Sequence, residues 1–244
     1  MRMKRTLIIV IGFWMAIGMV WVSRATGLTL TIDRVNGYYD GDGGEFNIAG
    51  TPYNVYYDSK ALVYNRYGVQ GFESFCLETN EYVSIPGTYY YDVSSKAIAG
   101  GKGGGSPDPI SVGTAWLYYQ FASGGLSSYA YTDFDCSDGT CRKKSAENLQ
   151  EIIWYLEDEI PTYSPSNPFV SSLVGKFGSL NNAKTDNTPG GYGVWVLNLY
   201  GDENKAEKKQ DQLVRIPEPA TLSLLGLGLI VFGLAARRFR TKVF

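Results

Sequence analysis

Three cysteines and no histidine set the chemistry open to this 244-residue chain. Without an imidazole, His-dependent triads, His metal ligands and a neutral-pH imidazole base are all excluded. Cys136 and Cys141 flank Ser137-Asp138-Gly139-Thr140, a short Gly-containing loop across which a local disulfide can close. The odd cysteine, Cys76, is then left as a thiol, paired between chains, or chemically occupied. A carboxamide is one such occupant. A thiol adding to the Gln150 carboxamide and expelling ammonia gives an acyl-sulfur bond, whose leaving thiol, with an ordinary pKa of about 8.5, departs far more readily than an amide nitrogen. That bond stores an electrophile: a Lys amine or a hydroxyl attacks the Gln150 carbonyl carbon, releases Cys76 and leaves the protein covalently attached. The fold must press the two side chains together and keep water away, and Phe75 and Trp154, the latter one helical turn beyond Gln150, are the expected shields. The alternative for Cys76 is a buried cysteine acting as a small hydrophobe.

Other chemistry-bearing residues point to structure. Asp40-Gly41-Asp42-Gly43-Gly44-Glu45 has carboxylates close in sequence but lacks the register of a calcium loop and has the residues of a hairpin turn. Gly100 to Gly105 has no Gly-Lys-Ser/Thr and reads as a flexible linker. Glu157-Asp158-Glu159 oppose the dipole at a helix C-terminus and are expected in solvent. Tyr53, Tyr56, Tyr57, Tyr89, Tyr90 and Tyr91 offer either a sugar-stacking face or the outer face of a sheet. No metal, no cofactor and no catalytic constellation is expected, so the protein is not read as an enzyme.

The elements that must position Cys76 and Gln150 follow from periodicity. Leu28 to Val35 alternates as a strand, with Glu45 to Ile48 as its hairpin partner. Tyr53 to Tyr57, Phe72 to Leu77, Thr88 to Val93 and Tyr192 to Leu199 are further strand candidates. Val112 to Ser123 has helical spacing and stops at Gly124-Gly125. Ser145 to Glu159 is a helix with Ser145 as N-cap, an apolar stripe of Leu149, Ile152, Ile153 and Leu156, and a stop at Pro161. Phe169 to Phe177 is a third, short helix. The fold class expected is α+β: a β-rich extracellular domain, sandwich or barrel-like, with a small helical subdomain.

Both ends of the chain carry addresses. Arg2, Lys4 and Arg5, the apolar stretch Leu7 to Val22, and Ser23-Arg24-Ala25 form a signal peptide over 1–25 with cleavage after Ala25. At the other end Pro217-Glu218-Pro219 precedes an apolar run over 220–236 and the cluster Arg237-Arg238-Phe239-Arg240. Such a run crosses a bilayer with its basic end in the cytoplasm. The domain then spans 26–201, with 202–216 as a charged linker and 217–244 as the sorting signal with its transmembrane helix. All 24 acids but Glu218 lie between the two ends, whereas eight of the 22 Lys and Arg lie within them, so the exported part is acidic. That balance argues against nucleic acid as a partner, and against a membrane except through the C-terminal helix.

The tail resembles the PEP-CTERM sorting signal of Gram-negative, exopolysaccharide-producing bacteria. The resemblance implies export across the inner membrane by way of a signal peptidase, anchoring there, recognition by an exosortase-type membrane peptidase, and release or attachment at the cell surface. A second resemblance joins Phe75-Cys76, the helix Gly113-Thr-Ala-Trp-Leu-Tyr-Tyr-Gln120 and Leu149-Gln150-Glu151-Ile152-Ile153-Trp154 to bacterial surface thioester domains. In that family an aromatic-Cys on a strand meets a Gln from a helix carrying Gln-x-Ala-Ile-Trp. Ile152 stands where the family has Ala, and the well-known members are anchored to Gram-positive walls. The function expected is adhesion through a Cys76–Gln150 thioester to a surface-protein amine or extracellular polysaccharide. The alternative is a non-covalent structural or glycan-binding component of the exopolysaccharide matrix, with no thioester.

Overall fold

The computed structural model describes residues 28–35, 44–98, 101–103, 105–132 and 139–217. In chain order the elements are β1 (Thr29–Arg34), β2 (Phe46–Ala49), β3 (Leu62–Tyr64), β4 (Gln70–Ser74), β5 (Gly87–Ser94), β6 (Lys96–Ala97), β7 (Asp108–Pro109), α1 (Val112–Ala122), α2 (Cys141–Leu156), α3 (Phe169–Phe177), α4 (Leu180–Ala183), β8 (Val194–Tyr200) and β9 (Lys208–Arg215). The protein is α+β. Seven strands form one antiparallel sheet in the order β3-β4-β2-β1-β5-β8-β9, and β6 pairs with β7 apart from it.

The residues just after β4 leave their neighbour β2 and pair instead with β9. Leu77 N–H donates to Asp211 O and Leu213 N–H to Phe75 O, both at 3.1 Å, with Cys76 opposite Gln212. Strand hydrogen bonding therefore runs from β4 through β2, β1, β5, β8 and β9 and back to the chain beyond β4. Cys76 lies on that closing seam.

Alternation places Leu30 and Ile32 of β1 and Phe46 and Ile48 of β2 inside, where they meet Phe72, Phe75, Tyr118 and Phe121. Helix α1 is apolar nearly all round, and it is buried accordingly between sheet and helices, with Leu117, Tyr118 and Phe121 fully enclosed. Gly113 lets it approach α4, because a Cβ there would stand 2.8 Å from Ala183 O. The helices share one core with the sheet, so no separate helical subdomain exists among the described residues.

Several sequence expectations are corrected. Tyr53 to Tyr57 is a 3-10 helix over Pro52–Tyr56, because the Thr51 hydroxyl accepts from Tyr53 N–H and Pro52 opens the turn. The α2 helix starts four residues earlier than Ser145. The Ser145 hydroxyl instead accepts from Ala130 N–H and donates to Cys141 O. The segment 202–216, expected as a charged linker, contains β9, an integral strand whose polar residues Gln210, Asp211 and Gln212 are buried. Its Lys-Lys-Gln-Asp-Gln sequence hides a strand because Gln210 and Asp211 meet specific partners. Gln210 Nε2 donates to Glu78 O, and Asp211 accepts from Ile98 N–H, Leu199 N–H and Asn198 Nδ2. The signal peptide with Ala25 and the span over 220–236 lie outside the described residues. Among those described, no helix is long and apolar enough to cross a membrane.

Candidate functional site

Cys76 and Gln150, 74 residues apart in sequence, are in contact. The seam places Cys76 in the non-hydrogen-bonded position opposite Gln212, so its own N–H and C=O point away from β9. The Gln150 carboxamide occupies that outer edge as a neighbouring peptide would. Its Oε1 accepts from Cys76 N–H at 3.1 Å, and its Nε2 donates to Cys76 O at 2.8 Å. The Cys76 S–H donates to the same Oε1 at 3.4 Å. Gln150 is held there by α2, whose Leu149, Ile152, Ile153 and Leu156 are buried in the core.

The site is enclosed, with Cys76 0% and Gln150 3% exposed. Phe75 is fully buried and meets Phe121 edge-on, with ring centroids 5.2 Å apart. A Cβ on Gly44 would stand 2.9 Å from the Phe75 ring and 3.6 Å from Gln150 Oε1, so ring and amide both pack beneath the Gly44 backbone. Trp154 is half-buried on α2. Burial pushes the Cys76 thiol well above its ordinary range, Glu78 adds to the rise, and the Trp154 indole N–H opposes it.

Chemically, the arrangement has the parts of an acyl transfer. Attack by sulfur on the Gln150 carboxamide carbon moves charge onto Oε1, which already faces a main-chain N–H at oxyanion-hole distance. The spacing of residues in the sequence gave no sign of that donor, because it belongs to the backbone of Cys76 itself.

Two acidic groups border the seam. Burial first, and then the neighbouring charge of Asp211, pushes the Glu78 carboxyl up to about 10, and burial pushes Asp211 up to about 7. A second buried cluster ties α2 to the sheet: the Arg142 guanidinium meets Glu45 at 3.1 Å, pairs with Glu73, and donates to Tyr131 O at 2.8 Å. Burial and the Glu45 charge raise the Glu73 carboxyl well above its usual range. Glu45 is thus turned into the core rather than toward a calcium loop.

The remaining expectations divide. Of Glu157, Asp158 and Glu159 only Asp158 is in solvent: Glu157 bonds Ser111, and Glu159 accepts from Thr79 N–H, Lys102 N–H and Gly103 N–H. Residues 101–103 therefore wrap a carboxylate instead of forming a loose linker. Tyr57, Tyr89 and Tyr91 are buried; Tyr57 bonds the Tyr118 hydroxyl and Tyr89 bonds Ser84. Among the described residues the tyrosines most exposed are Tyr64, Tyr67 and Tyr82. Cys141 opens α2, whereas Cys136 lies outside the described residues, and the Cys136–Cys141 pairing with it. Pro217 packs against Gly193, and Glu218 and Pro219 lie outside the described residues. Among the described residues no group of three or more His, Cys, Asp or Glu could hold a metal ion.

Residues 215–238 match the PEP-CTERM protein-sorting motif. No curated protein and no solved structure shows significant similarity to the chain. The motif marks an exported protein that is membrane-anchored before processing by an exosortase.

Proposed function

We propose that this exported protein is a single-use adhesive module, in which Cys76 and Gln150 form an internal thioester that is spent on a surface or matrix amine. The observation that supports the reading is the docking of the Gln150 carboxamide on Cys76 by two backbone hydrogen bonds, with the sulfur 3.4 Å from Oε1. In the forming step a sulfur–carbon bond replaces the carbon–nitrogen bond, and the thiol proton leaves on ammonia. In the spending step an amine nitrogen bonds the same carbon, the carbon–sulfur bond breaks, and the amine proton returns to sulfur. Each target is joined once, so the protein is not a turnover enzyme.

Intact mass of the exported protein tests this directly. The expected mass is one ammonia below that of the disulfide-corrected sequence, and methylamine adds to Gln150 while exposing one thiol. Cys76→Ala and Gln150→Ala each abolish both effects. Full mass with a titratable Cys76 before amine is added overturns the covalent reading. The matrix would then be bound non-covalently, with the exposed Tyr64 and Tyr67 near the β3–β4 turn as contact residues.

A further inference from the structure

Gln212 is 0% exposed, and among the described residues neither atom of its carboxamide has a hydrogen-bond partner. Two orphaned polar atoms in a core carry a desolvation penalty that a Leu or Met of similar volume would avoid. Its place in the fold is specific. Gln212 is directly opposite Cys76 across the closing seam, in a pair whose side chains leave the same face with Cβ atoms about 4.5–5.5 Å apart. The indole N–H of Trp154 is likewise buried without an acceptor in full hydrogen-bond geometry. Its influence on the Cys76 thiol is in the direction of the anion.

We propose that the amide N–H of Gln212 and the indole N–H of Trp154 form a donor pocket for the Cys76 sulfur, one from β9 and one from α2. The proposal rests on the acyl-sulfur reading and adds the groups that make it run. Sulfur is anionic at two moments, when it attacks the Gln150 carbon and when an amine displaces it, and at both it is buried. Cys76 N–H is already committed to Gln150 Oε1, so it serves the carbonyl oxygen and not the sulfur. The carboxyls of Glu78 and Glu159, where ionised, both oppose ionisation of the thiol. Two neutral donors offset that opposition without adding a titrating group.

Gln212→Met and Trp154→Phe remove one N–H each while keeping volume and shielding. In the full exported chain each slows methylamine uptake about tenfold, with ammonia loss still complete. In a Gln150→Ala background, where Cys76 is a thiol in any case, its ionisation is followed by the carbon NMR shift of its Cβ. Each substitution moves the midpoint to a roughly tenfold lower proton concentration. Circular dichroism checks the fold, and either variant alone suffices. An unchanged Cys76 midpoint in both overturns the donor pocket. Wild-type protein at full mass overturns the thioester instead, and the midpoint comparison still decides the pocket.

Discussion

Glu157, the C-cap of α2, accepts hydrogen bonds from the main-chain N–H of Ser111 at 3.1 Å and from its hydroxyl at 2.7 Å, and Ser111 is the N-cap of α1. One carboxylate thus braces the start of α1 against the end of the helix that carries Gln150, at the favourable end of the α1 dipole. Burial nevertheless dominates and pushes its pKa up from 4.5 to about 7. Because the folded pKa is the raised one, the contribution is full below about 4.5 and is lost as pH rises through about 7. Glu157→Gln is therefore expected to flatten part of the fall in melting temperature between about pH 5 and pH 8. Glu78 and Asp211 shift in the same direction and keep the remainder of the slope. A variant with the wild-type slope would show that Glu157 is ionised at little cost in the folded protein.

Arg142 stands two turns before Gln150 on α2 and meets two buried carboxylates. Removing the cation strands both acids, so Arg142→Met is expected to lose about 3–5 kcal/mol in urea unfolding. Adding Glu45→Gln and Glu73→Gln to Arg142→Met is expected to recover most of that loss, because the desolvation cost of the carboxylates goes with their charge. A triple variant no more stable than the single one would mean that the cluster acts through shape, not charge.

The apolar pattern located what periodicity governs. The stripe Leu149, Ile152, Ile153 and Leu156 is buried as a helix face, and Phe169–Phe177 is a helix with the expected bounds. Gln150 next to that stripe, and Cys76 at the end of a strand, marked a candidate pair whose contact no local pattern could establish. Long-range pairing of polar residues was illegible. Lys208–Arg215 carries the charge of a linker, and its burial depends on the Glu78 carbonyl, which accepts from Gln210, and on Ile98 N–H and Asn198 Nδ2, which donate to Asp211. Gln212 was hidden for the same reason, since its importance comes from standing opposite Cys76. Glu159 read as solvated because the N–H groups that enclose it come from a glycine-rich stretch more than fifty residues earlier.

The sorting motif at 215–238 begins at the last residue of β9, so the folded domain and its processing signal are contiguous. Deleting Pro217 to Pro219 is expected to leave protein with an uncleaved tail in the inner membrane, detected in the membrane fraction as a band that has lost the signal peptide but keeps the C-terminal segment. A reporter fused after Phe244 is expected to be cytoplasmic, and one placed before Pro217 external, because the Arg cluster follows the apolar run. Normal surface release of the deletion variant would assign the tail to plain anchoring.

The docking of Gln150 on the Cys76 backbone separates two substitutions that look equivalent on chemical grounds alone. Cys76→Ala leaves both backbone hydrogen bonds in place and removes only a sulfur, whereas Gln150→Ala strands the buried N–H and C=O of Cys76. Both variants lack the acyl-sulfur cross-link, so its loss cancels in their comparison. Gln150→Ala is expected to be the less stable by about 1–3 kcal/mol in urea unfolding, with an unchanged m-value. Gln150→Glu separates the parts further: its retained oxygen can still accept from Cys76 N–H, but the donor to Cys76 O is lost unless the carboxyl is protonated. Its stability is therefore expected to fall between the other two at low pH and to drop as the acid ionises. Equal stability of Cys76→Ala and Gln150→Ala would mean that the carboxamide is not a structural partner of the seam, and that only chemistry can account for its burial.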